Sequence, residues 1–258
     1  MPNIPDQLGA ITPEWLSETL GATVSGVEVL DAHAGTTGRG VIAITTGQGV
    51  TGLPDRLFVK LPPNDELQRQ FVTSAGMGRR EALFYQQLGA EVPVRVPRCY
   101  AACSDDSGER YIMLLEHLED AGCSFNNAGQ CYSLEYVRDV VACFARLHAA
   151  YWQSPRFGNE LSWIEPPMQH EIAVQLVQVA LEAHAATMPP VFSQMAELFL
   201  TDTDAIYRLW RSGPETLVHG DAHDANLFDL HAKYADVLGL EEVLLTIGKL
   251  EEKSEERS

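Results

Sequence analysis

The chain has 258 residues, of which 45% are apolar and 21% charged, a balance that excludes a chain too polar to fold and leaves room for one large domain or two small lobes. Its formal net charge of −18 opposes broad contact with nucleic acid or anionic lipid, and favours a cationic small substrate only weakly. The N-terminus lacks a basic stretch followed by an apolar run, and no run reaches the roughly eighteen apolar residues of a membrane span, so a cytoplasmic protein with no membrane partner is expected.

The first predicted element is a short helix in TPEWLSETLG, with Thr12 as its cap, Pro13 at the first helical position and Gly21 as its stop. Three β-rich runs follow, VSGVEVL (24–30), GVIAITT (40–46) and RLFVKL (56–61), separated by turns containing glycine or proline, which predicts an antiparallel meander. A helix is expected from about Glu66 to Leu88, stopped by Gly89, with its stronger half in RREALFYQQL. The proline-punctuated VPVRVPRCY reads as extended, and YIMLLEHL as a buried strand leaving a sheet for a linker.

From Ser133, placed as a cap, the residues Leu134, Val137, Val141, Phe144, His148 and Tyr151 recur at helical spacing. Further helices are expected at 168–187 and 191–211, divided by Pro189 and Pro190. The fold class is therefore α+β, with a boundary near residue 120. Residues 1–22 read as a helical lead-in, 23–120 as a β-rich lobe, 121–240 as a mainly α lobe and 241–258 as a charged tail. The five cysteines (Cys99, Cys103, Cys123, Cys131, Cys143) form no C-x-x-C pair, so reduced, mostly buried thiols are expected.

The densest polar chemistry lies in LVHGDAHDAN (217–226), where Leu217 and Val218 are expected to end a buried strand. Asp221 there can orient or accept a hydroxyl proton, and Asn226 offers a neutral oxygen of the kind that helps hold Mg²⁺ between phosphates. His219, Asp221 and His223 also stand at the spacing of a zinc or iron hydrolase, although no other histidine cluster completes that set. A polar turn without chemistry fits the same residues.

HGDAHDAN resembles the H-G-D-x-H-x-x-N motif of the aminoglycoside phosphotransferase and choline kinase-like proteins, a resemblance covering roughly residues 25–230. It implies a protein-kinase-like two-lobe fold and a small-molecule kinase that moves the γ-phosphoryl of ATP, with Mg²⁺, to a substrate hydroxyl. Lys60 in LFVKL and Glu81 in RREALFY are similar to the family's phosphate-binding lysine and its glutamate partner. Taken singly, Lys60 reads better as an edge-strand lysine pointing at solvent and Glu81 as an ordinary helix charge.

The stretch GTTGRG, with Gly35, Gly38 and Gly40, approximates the glycine-rich loop over the phosphates. LLEHLED is similar to the hinge whose backbone, at Glu116 and Leu118, hydrogen-bonds adenine. RLHAAYW looks like a second-lobe helix, with His148 and Tyr151 read as core.

The resemblance further implies a second metal-binding aspartate in an apolar-I-D-F or I-D-W context after Asn226; Asp236 is the candidate here, although its setting differs. Only 32 residues follow Asn226, so an incomplete α lobe is expected, and with it the alternative of a pseudokinase or nucleotide-binding module without turnover.

Overall fold

The computed structural model describes residues 4–34, 37–123, 134–165, 171–184 and 186–219. Gly35, Cys131, Ser133, Asp221, His223, Asn226, Asp236 and the charged tail lie outside the described residues. The chain forms two compact units, Met1–Gln130 and Cys131–Ser258.

Helix α1 (Pro13–Leu20) starts and stops where its sequence dictates. Thr12 Oγ1 accepts the Trp15 N–H at 3.2 Å, Pro13 needs no amide partner, and Gly21 takes the left-handed φ of 63° that ends the helix. Its Leu16 is fully buried.

The first unit is built on an antiparallel sheet of β1 (Val24–Ala34), β2 (Gly38–Thr46), β3 (Arg56–Leu61), β4 (Cys99–Ser104) and β5 (Tyr111–Glu116), in the order β1-β2-β3-β5-β4. The predicted meander is its first three strands. Strand β4 was not predicted as a ladder strand, because all six residues of CYAACS are half-buried and show no alternation.

Strand β5 is buried from Tyr111 to Leu115 because its alternate side chains enter two different cores. Ile112 and Leu114 join Ile11, Leu16, Ile42, Leu57 and Val59 on the face covered by α1. Tyr111, Met113 and Leu115 meet Val72 and Ala82 on the other. Each such fully buried aliphatic side chain contributes about 1.5–3 kcal/mol.

The single helix expected over 66–88 is two, α2 (Glu66–Ser74) and α3 (Met77–Gln87). Gly76 adopts φ 63°, a left-handed conformation that no regular helix contains, and so breaks the run. Two residues further on, Gly78 packs directly against the ring of Tyr111. The Tyr111 hydroxyl is buried without a hydrogen-bond partner among the described residues. Tyr111→Phe is therefore expected to stabilise the protein by about 1 kcal/mol, read as a raised thermal midpoint, since it removes a desolvated group that makes no bond.

The described part of the second unit is helical: α4 (Leu134–Tyr151), α5 (Glu171–His184), α6 (Pro190–Thr201) and α7 (Thr203–Trp210). The single helix expected over 191–211 divides because Asp202 leaves helical geometry and its carboxylate caps α7, accepting the Ala205 N–H at 3.2 Å. Along α4, Val137, Leu147 and Tyr151 are buried as the periodicity requires, whereas Val141 is 46% exposed.

Candidate active site

Lys60 owes its position to strand alternation. Leu57, Val59 and Leu61 fill one core, which turns Phe58 and Lys60 to the opposite face, where α3 lies. Arg39 of β2 and Met113 of β5 flank Lys60 across the ladder, so it sits on the central strand of five and is no edge lysine.

Glu81 lies one turn beyond Gly78 on α3, beside the fully buried Ala82. Lys60 Nζ donates to both of its carboxylate oxygens, at 2.6 Å to Oε1 and 2.5 Å to Oε2. The two side chains are 22% and 30% exposed, so solvent screens this pair less than a surface one. The 21-residue separation expected from sequence thus closes into direct contact.

Gly38 pairs with Ala34 where β1 turns into β2, and a Cβ there would lie 2.6 Å from the Pro62 carbonyl oxygen. At Gly40 a Cβ would lie 2.5 Å from a Leu8 methyl and 2.7 Å from the Asp31 carbonyl oxygen. Both glycines are thus demanded by packing inside the sheet, a requirement that GTTGRG does not reveal.

Glu116 ends β5 held on both its groups. Its N–H donates to Arg98 O at 2.8 Å, while its carboxylate accepts from Arg98 N–H and from Arg95 Nη2, each at 3.0 Å. Beyond it the chain makes a compact turn in which Leu118 O accepts from Ala121 and Cys123. Arg56 closes a two-bond ion pair with Asp120 across this turn, with Nε to Oδ2 at 2.9 Å. The guanidinium holds the Asp120 carboxyl below the usual carboxylate range.

In the second unit, the approach to HGDAHDAN is tied to α4. Thr216 Oγ1 donates to His148 O at 2.7 Å, Gln153 N–H donates to Glu215 O at 2.7 Å, and Leu217 is buried. The predicted strand at 217–218 is not formed: Leu217 and Val218 pair with no strand among the described residues, and Val218 is 55% exposed. The His219 ring meets Phe144 edge-on at 6.0 Å, and Phe144 also stacks on His148. Tyr151 is core, as read from sequence.

Residues 32–230, most of the chain, match the phosphotransferase enzyme family. The chain belongs to that family. No curated protein and no solved structure matches it significantly. The phosphotransferase match contains Lys60, Glu81, Glu116, Leu118, Asp221 and Asn226, and ends before Asp236.

Among the described residues of this phosphotransferase, no three His, Cys, Asp or Glu side chains gather into a metal-holding group, and no helix is long and apolar enough to cross a membrane. Burial pushes the Cys99 thiol up to about 11, which leaves it protonated and unreactive at neutral pH. Sequence reading missed Arg56, Asp120, Arg95 and Arg98. Each is an ordinary surface charge until the fold brings strand and linker together, so no local pattern marks them.

Proposed function

We propose that this chain is a small-molecule kinase that transfers the γ-phosphoryl group of ATP to a substrate hydroxyl. The observation that carries the reading is the Lys60–Glu81 ion pair, set between β3 and α3 within the phosphotransferase match. A lysine already oriented by a carboxylate offers its charge to a polyphosphate without first being ordered, and positioning of this kind supplies most of the catalysis in phosphoryl transfer.

In this reading Lys60 holds the α- and β-phosphates and Glu81 holds Lys60. The backbone at Gly35, Gly38 and Gly40 approaches the phosphates, and the backbone at Glu116 and Leu118 meets the adenine edge. Asp221 orients the acceptor hydroxyl and takes its proton as the oxygen bonds to the γ-phosphorus and ADP departs. Asn226 and Asp236 would hold Mg²⁺, which neutralises phosphate charge when bound. The acceptor is a small alcohol, and the acidity of the chain favours an amine-bearing one slightly.

Lys60→Ala is the direct test. Calorimetric titration with Mg·ATP is expected to show affinity weakened about ten- to a hundredfold, the worth of a charge-assisted contact to phosphate. Equal affinity in wild type and variant would remove the nucleotide site from this position.

A second reading, nucleotide binding without turnover, draws on the sequence after Asn226, where no aspartate stands in an apolar-I-D-aromatic context. Saturable ATP binding with no phosphorylated product across a panel of alcohols favours it, and robust turnover removes it.

A further inference from the structure

The turn after β5 is fixed at both ends, and its free backbone donors lie between the two fixings. At its start, Glu116 is bound through its N–H and its carboxylate to Arg98 and Arg95. At its far side, Asp120 is bound to Arg56, the first residue of β3 and 64 positions earlier in the chain. His117 Nδ1 stands 3.2 Å from the same Asp120 carboxylate, and the His117 side chain is only 10% exposed.

From Asp120 onward the N–H groups of Asp120, Ala121, Gly122 and Cys123 are all consumed by carbonyls of the turn itself. Those of Leu118 and Glu119 have no acceptor among the described residues. Unpaired donors held on a rigid turn are the groups that can read an acceptor on a planar base.

We infer that the Arg56–Asp120 ion pair is a positioning device for the nucleotide base, holding the 117–122 turn so that the Leu118 N–H keeps its place. This deepens the proposed kinase function and rests on it. Arg56 begins the strand that carries Lys60, so one strand serves the base through its first residue and the phosphates through its fifth. Neither Arg56 nor Asp120 touches the nucleotide in this scheme. Both side chains are about two-fifths exposed, so their replacement leaves the cores intact.

The experiment compares wild type, Arg56→Gln, Asp120→Asn and the double variant for binding of Mg·ATP and of Mg·tripolyphosphate, which has the phosphates without a base. Each single variant is expected to bind ATP about three- to fivefold more weakly, the scale of one exposed ion pair, and tripolyphosphate as the wild type does. The double variant is expected to match the singles, because the two residues act through one contact. Losses that add in the double variant, or that extend equally to tripolyphosphate, overturn the inference.

Wild-type ATP binding that is unchanged in Asp120→Asn overturns the positioning role alone. Absence of ATP binding by the wild type overturns the kinase reading and this inference with it.

Discussion

Asparagine in place of Asp221 is expected to slow phosphoryl transfer by on the order of a thousandfold while leaving Mg·ATP affinity within about twofold of wild type. The amide keeps the size of the carboxylate and can still orient a hydroxyl, but it cannot accept the hydroxyl proton. Steady-state phosphorylation of an accepted alcohol gives the rate, and calorimetry gives the affinity. His223→Ala serves as the counterpart: a kinase should retain its rate, whereas a metal hydrolase built on His219, Asp221 and His223 would lose both metal and rate. Full activity in Asp221→Asn would take the proposed base out of the reaction.

The second large effect is on stability. Gly78→Ala is expected to cost about 2–3 kcal/mol and to lower the thermal midpoint by about 6–10 °C, because the added methyl enters the ring of Tyr111. Alanine ordinarily gains up to about 1 kcal/mol over glycine inside a helix, which this clash outweighs. The ring has nowhere to retreat, since Tyr111 is 1% exposed and lies on a strand buried on both faces. Tyr111→Leu combined with Gly78→Ala should recover part of the loss. Recovery would assign the damage to the ring, whereas an undiminished loss in the double variant would assign it to the backbone of α3. The clash also bears on the site, for Glu81 lies one turn further along the same helix.

Much of the first unit was legible because its signals are local. Thr12, Pro13 and Gly21 mark a helix by the groups they satisfy or spare, and the β-rich run RLFVKL marks the strand that carries Lys60. The Lys60–Glu81 contact was implied by the family resemblance, while the strand and the helix that carry the two residues could each be read from their own sequence. The break at Gly76 was harder to see, because SAGMG differs from a tolerated helical glycine only in its backbone angle. CYAACS was missed for a related reason: half-burial on both faces of β4 erases the period on which a strand reading depends.

The Arg56–Asp120 pair and the lodging of Leu8 against Gly40 join residues far apart in the chain. Only the fold brings them together. In the second unit the spacing of α4 was plain, but the division at Asp202 turned on one capping carboxylate among several acidic residues.

Strand β1 carries a consequence for assembly. It is eleven residues long, stands at one end of the sheet order and leaves Val29 and Leu30 nearly half exposed, the makings of a template for another chain. Its pairing with β2 is interrupted between Val24 and Gly26 and again between Val29 and Asp31. Each interruption adds local twist and breaks the even run of outward amides that a second strand would need. Asp31 follows directly after the apolar pair and places a charge where a flat sheet would otherwise extend. The irregular spacing thus acts as a guard against fibrillar growth, protecting the edge of the same sheet whose centre holds Lys60.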